Sequence, residues 1–212
     1  MQTKQELLDY WKRTGYHFGQ VLLDAFKNIE RKQFVLTALQ DQAYEDHALP
    51  IGHGQTISQP TTVMLMLQAL EVKKNHVVLE IGAGSGYNAA LLSQLCKKVY
   101  TIEIVKEAAS FAQKNLCDAG IKNVNVIVGD GSKGLPGKAL FDRIVMTAAS
   151  PEVPRHLLDQ LKDPGILVAP VGVGFTQEMI KMVKNKGNVN EEGLGFFSFV
   201  PLTGAYGSDK QQ

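Results

Sequence analysis

A short apolar stretch, residues 76–81 (His-Val-Val-Leu-Glu-Ile), runs straight into Gly82-Ala-Gly-Ser-Gly86. No other feature restricts the fold of this 212-residue chain so tightly. A run of Val, Leu and Ile this short reads as a strand buried on both faces. Three glycines at alternate positions let a backbone reverse sharply, and let it approach a bound molecule with no Cβ in the way. Residues 88–95 then carry helical spacing. Strand, glycine turn and helix in that order belong to the nucleotide-binding class of α/β sheets.

The pattern repeats downstream. Strands are expected at Lys98–Glu103, Val124–Val128, residues 141–147 and residues 165–171, with helices at 106–119 and 154–161 between them. Gly120 closes the first of these helices. Residues 179–184 and 195–200 read as two further strands, antiparallel at one edge. Repeated strand–helix units with right-handed crossovers predict a doubly wound, mostly parallel α/β sheet of Rossmann-like type. Ahead of it, helices are expected at 3–17, 19–28 (with Val21, Leu22, Ala25, Phe26 and Ile29 inward) and from residue 31 to 39. They form an N-terminal helical cap without a core of its own. Pro60 suits the first position of a helix over 61–70, where no N–H is required. The expected organisation is one domain over 1–212, with cap and active-site loop in 1–60 and the α/β core in 61–206; from Gly207 the chain reads as a frayed tail.

The details of the glycine turn bear on its ligand. A dinucleotide fingerprint needs glycine at position 87 to bring a pyrophosphate to the helix N-terminus. This chain has Tyr87. A GxGxG turn followed by a large residue suits S-adenosylmethionine, which has no phosphate. Glu103 ends the second strand, about where an acid accepts from ribose hydroxyls. Asp130, in Gly129-Asp-Gly131 after the third strand, is placed to accept from an adenine amino group.

Composition narrows the class. Lys plus Arg number 22 and Asp plus Glu 21, so neither a basic nucleic-acid face nor a polybasic membrane patch is expected. Cys96 and Cys117 fit no metal spacing, and both are expected to be buried free thiols in a reducing compartment. Residues 1–9 carry charges and no apolar core of a signal peptide, and no apolar run is long enough to span a bilayer. A cytoplasmic, metal-free, monomeric protein is the expectation.

Residues 49–60 (Leu-Pro-Ile-Gly-His-Gly-Gln-Thr-Ile-Ser-Gln-Pro) have no periodicity and read as a polar loop ahead of the cofactor turn. Together with Tyr44-x-Asp46, Val78-Leu-Glu-Ile-Gly82-x-Gly84-Ser-Gly-Tyr87, Gly129-Asp-Gly131, Thr147-Ala-Ala149, Val168-x-Pro170 and Phe199-Val-Pro-Leu202, this loop closely resembles the protein-L-isoaspartate O-methyltransferases. The match runs in order along almost the whole chain. The resemblance implies methyl transfer from S-adenosylmethionine to the α-carboxylate of L-isoaspartyl residues in damaged proteins and peptides, leaving S-adenosylhomocysteine. It implies Ser58 as the active-site serine. Gln55, Thr56 and Ile57 would line cofactor and substrate; Gly82, Gly84, Gly86, Glu103, Asp130, Gly131 and Thr203 would hold the cofactor.

A carboxylate acceptor is already ionised at neutral pH, so no strong general base is required. His47 and His53 flank the loop and read as structural. The competing readings are methylation of RNA, against which the balanced charge argues, methylation of a small molecule, against which the loop argues, and a catalytically silent binding protein on the same fold.

Overall fold

The structure, a computed structural model, describes residues 1–207. Apart from Gly207 itself, the expected tail lies outside the described residues. The chain opens with α1 (Lys4–Arg13) and α2 (Gln20–Asn28), shorter than their apolar patterns suggest. Thr3 caps α1 by accepting from the Glu6 N–H. Two short 3₁₀ turns, Arg31–Phe34 and Thr37–Gln42, replace the expected third helix. Val21 stands out in solvent rather than inward, because Leu22, Ala25 and Phe26 already occupy the buried stripe of α2.

The stretch read as a loop is a β-hairpin. β1 (Leu49–Gly52) pairs antiparallel with β2 (Gln55–Ile57), and His53 and Gly54 turn the chain at positive φ. β1 alternates buried Leu49 and Ile51 with exposed Pro50 and Gly52, a period of two too short to be told from irregular chain. α3 (Pro60–Leu70) follows, with Pro60 at its first turn as expected.

The core sheet has seven strands: β3 (Val77–Ile81), β4 (Lys98–Glu103), β5 (Val124–Val128), β6 (Phe141–Met146), β7 (Leu161–Val171), β8 (Gln177–Asn185) and β9 (Asn188–Phe197). Their order is β5-β4-β3-β6-β7-β8-β9. The first five are parallel; β7, β8 and β9 form an antiparallel meander at the edge. α4 (Tyr87–Leu95), α5 (Lys106–Asp118) and α6 (Arg155–Asp159) make the crossovers. Strand order reverses between β3 and β6, where the chain leaves β3 toward β4 on one side and later returns on the other. The carboxyl ends of strands diverge there and leave a crevice.

Apolar packing lies on both sheet faces. Leu7, Trp11, Phe26 and Phe34 of the N-terminal region share one cluster with α3, α4, Val78 and Val145. The Trp11 indole N–H donates to Thr61 Oγ1 at 2.7 Å, which ties α1 to α3. Leu79, Ile81, Phe141, Ile144, Leu157 and Leu167 fill the other face. Cys96 is buried as expected, whereas Cys117 is exposed near the end of α5. No helix among the described residues is long and apolar enough to cross a membrane.

Candidate active site

A cavity of about 400 Å³ opens at the reversal point. The segments that line it include the hairpin and its exit, residues 55–59; the glycine turn, residues 82–85; the end of β4 at Glu103; and a C-terminal segment, residues 196–203. Its size falls within the range of small-molecule sites.

The glycine turn begins with contacts that tolerate no side chain. Gly82 has φ +96°, and a Cβ there would sit 2.3 Å from Thr147 Oγ1. That hydroxyl donates to the Gly82 carbonyl at 2.7 Å, so the strand after the crossover braces the turn. Gly84, at φ +52°, faces the hairpin: a Cβ added there would reach ordinary contact with Ile51 and the Thr56 carbonyl, at 3.6 and 3.7 Å, so its backbone conformation rather than lack of space favours glycine. Gly86 does another job. It lies off the cavity at φ +85°, where a Cβ would come 3.2 Å from the Ala112 carbonyl and Leu116, so it admits α5 close to α4.

Glu103 is buried at the cavity wall. Its two oxygens accept from the Gly84 N–H at 2.9 Å and the Val105 N–H at 3.0 Å. It thus holds the glycine turn as well as facing the cavity, and each oxygen retains a further lone pair. Asp130 is oriented differently from the expectation of an adenine contact. Its carboxylate accepts from Ser132 N and Oγ and from the Ala205 N–H, with Lys133 nearby, and it does not line the cavity. Those hydrogen bonds hold its pKa below the ordinary value despite partial desolvation. Gly131 beside it does line the cavity, packed so that a Cβ would strike Ile81.

Gln55, Thr56, Ile57, Ser58 and Thr203 all line the same cavity. Ser58 is part-exposed, with its carbonyl accepting from Arg31 Nη2 at 2.8 Å. The C-terminal segment is tied over the end of β6: the Ala149 N–H donates to the Val200 carbonyl, and the Leu202 N–H donates to the Ala149 carbonyl. His47 lines the rim with both ring nitrogens engaged, by the Ala48 carbonyl and by Glu45, which raise its pKa. A histidine so held has no free nitrogen to act as base.

Some groups carry no obvious sequence signal beyond being charges in apolar surroundings. Glu80, on β3, is fully buried; it accepts from Asn88 Nδ2 at 2.7 Å, and burial above all pushes its pKa up to about 7. Glu80 Oε2 and Asn88 Oδ1 find no protein partner, and Asn88 reaches the cavity wall. Thr101, its register partner on β4, stands close enough to lower that pKa somewhat, without meeting hydrogen-bond geometry. Asp46 accepts from Thr61 N and Oγ1 and fixes the start of α3 against the rim.

A ligand here meets an open glycine backbone, a carboxylate with spare acceptor capacity and a serine whose hydroxyl makes no hydrogen bond within the described residues. Those groups fit an uncharged ribose and a compact sulfonium far better than a phosphate, for which no Lys or Arg among the described residues lines the cavity.

Comparison with known proteins agrees along the full length. The profile of the family Protein-L-isoaspartate(D-aspartate) O-methyltransferase matches residues 2–207. A protein-L-isoaspartate O-methyltransferase of Methanoculleus marisnigri is 46% identical over 204 residues, spanning 96% of this chain and 93% of its own. That of Pyrococcus horikoshii is 42% identical over 217 residues, 98% of this chain and 99% of its own. A solved protein-L-isoaspartate O-methyltransferase superposes with TM-score 0.85 at 27% identity, over 97% of this chain and 67% of that one. The match spans nearly the whole chain, and this chain belongs to the protein-L-isoaspartate(D-aspartate) O-methyltransferase family.

Proposed function

We propose that the chain transfers a methyl group from S-adenosylmethionine to the α-carboxylate of L-isoaspartyl residues in damaged proteins and peptides. Membership of the family supports this reading. The observation that carries it is that Ser58, at the exit of the hairpin, and the glycine turn line one cavity, with no free histidine or lysine base at its rim among the described residues. A bound S-adenosylmethionine would supply an electrophilic methyl on a positively charged sulfur. The chain's contribution is then alignment and partial exclusion of water around two reactants of opposite charge. Ser58 Oγ–H donates one hydrogen bond that orients the carboxylate without quenching it; it is not a nucleophile.

Gly82, Gly84 and Gly131 give the cofactor close backbone approach. Glu103 accepts from ribose hydroxyls with its remaining lone pairs. Gln55, Thr56, Ile57 and Thr203 close around the transfer site. Gly86 and Asp130 act indirectly, by packing α4 on α5 and by holding residues 204–206 in place. Residues 1–60 and 61–206 work as one domain, because the hairpin of the first part is a wall of the site in the second. The reading also takes the protein as a monomer of a reducing, cytoplasmic compartment, in keeping with two free thiols.

The test is incubation with methyl-labelled S-adenosylmethionine and paired peptides carrying isoaspartate or aspartate at one position. Base-labile label on the isoaspartyl peptide alone is expected, and Ser58→Ala should lower that turnover strongly while S-adenosylhomocysteine affinity stays nearly unchanged. Label on neither peptide refutes the substrate; full turnover by the variant refutes the role of Ser58.

A further inference from the structure

Arg31 is one of the largest side chains that the fold buries completely. Its guanidinium has no carboxylate within ion-pair distance among the described residues; burial lowers its pKa from the ordinary value, opposed by Tyr87 first and then by Tyr44 and Asp46. A buried cation without an ion pair is expensive, and such groups are retained where the site uses them. Its surroundings connect the two halves of the cavity. Nε donates to the Ala43 carbonyl at 2.7 Å and Nη2 to the Ser58 carbonyl at 2.8 Å. Cζ lies 4.8 Å from the centre of the Tyr87 ring, the first residue of α4 after the glycine turn. Phe34, from the same 3₁₀ turn, packs on the other side of the contact, with its ring 5.6 Å from Tyr87. Arg31 itself does not line the cavity.

We propose that Arg31 is a positioning residue: its planar fork clamps the main chain of Ser58 to the 3₁₀ turn and to Tyr87, and so sets the distance between the serine and the cofactor turn. The inference rests on the methyl-transfer reading above. A lysine keeps the charge but has no planar fork to hold two carbonyls while lying over the Tyr87 ring. A flexible cation in that place leaves the fold standing and the serine free to wander, and a displacement of about 1 Å is enough to cost on the order of 100-fold in rate.

The experiment compares Arg31→Lys and Arg31→Gln with the wild type in three readouts. The first is turnover of an isoaspartyl peptide at saturating substrate. The second is S-adenosylhomocysteine affinity by calorimetry. The third is hydrogen exchange resolved over residues 53–60. Loss of one charge-assisted hydrogen bond predicts a fall in kcat of about 10- to 100-fold. Cofactor affinity should stay within about threefold, exchange at 53–60 should quicken while that of β4 and β5 holds, and Lys should lose as much kcat as Gln or nearly so. Wild-type kcat in either variant overturns the clamp, as does a parallel loss of cofactor affinity, unchanged exchange at 53–60, or loss of cooperative unfolding in both variants, which makes Arg31 purely structural. If the wild type methylates no isoaspartyl peptide, the functional reading fails, while the exchange and affinity results still decide the clamp.

Discussion

Glu80 offers the sharpest test of the energetics. Its carboxyl sits in the middle of the sheet with no solvent contact, and burial moves it from 4.5 to about 7, assisted by the charge of Glu103. The native state therefore binds this proton more tightly than the unfolded chain does. Below pH 4.5 both states hold it, and stability carries no penalty. Between 4.5 and 7 the unfolded chain ionises while the native state does not, so native stability falls with pH at about 1.4 kcal/mol per unit. Above 7 the full penalty remains, on the order of 3 kcal/mol. Glu80→Gln removes the titration and retains an acceptor for Asn88. Its amide N–H₂ takes the place of Glu80 Oε2, an atom with no partner among the described residues, opposite Thr101 on β4. Urea unfolding of both ligand-free proteins from pH 4.5 to 8.5 measures the difference. The variant should gain on the wild type by about 3 kcal/mol across that range, nearly all of it below pH 7.5. A difference that stays flat to within about 0.5 kcal/mol would show that the carboxyl is not desolvated as its position requires.

Glu103→Ala should raise the S-adenosylhomocysteine Kd at least about tenfold by calorimetry, since it removes the proposed ribose acceptor and the anchor of the Gly84 N–H; unchanged affinity would remove the assignment. Asp130→Ala frees the N–H groups of Ser132 and Ala205. It should cost about 1–2 kcal/mol and speed amide exchange at 204–206, and unaltered exchange would refute its role as an anchor. In the native protein one thiol should react quickly with an aromatic disulfide reagent: Cys117 is exposed, while burial pushes the Cys96 thiol up to about 12. Two fast thiols would contradict the packing around Cys96.

The parallel strands were legible because each carries a short run of Val, Ile, Leu or Phe bounded by turn residues, and this holds even for β5, which lies at one edge of the sheet and is only partly buried. β4 and β5 fall at the expected residues, and β3 and β6 differ from expectation by one. The antiparallel edge was not legible in the same way. β9 occupies Asn188–Phe197, a polar run, where the apolar residues 195–200 had suggested a strand. An edge strand with an exposed face needs no apolar pattern, and the apolar residues beyond it serve the cavity wall instead. Gly82, Gly84 and Glu103, singled out by their spacing, line the cavity together with Ser58, to which the family resemblance alone pointed. Asp130 does not, because the sequence shows that an acid ends a strand but not which neighbours claim its lone pairs. Arg31 was invisible for a related reason: a lone arginine looks like surface until tertiary contacts enclose it.

The segment 196–203 has a consequence in time as well as in space. It covers a site whose floor is laid down by residues 55–58 and 82–84, more than a hundred residues earlier in the chain. During synthesis the hairpin, the glycine turn and the parallel strands emerge first and can fold as they appear. On the proposed role of Thr203, full cofactor affinity waits until residues 196–203 have emerged and their contacts with Ala149 have formed. On that reading a nascent chain passes through a stage with its sheet assembled and one wall of its site missing, and cofactor stabilises it less until that wall is in place.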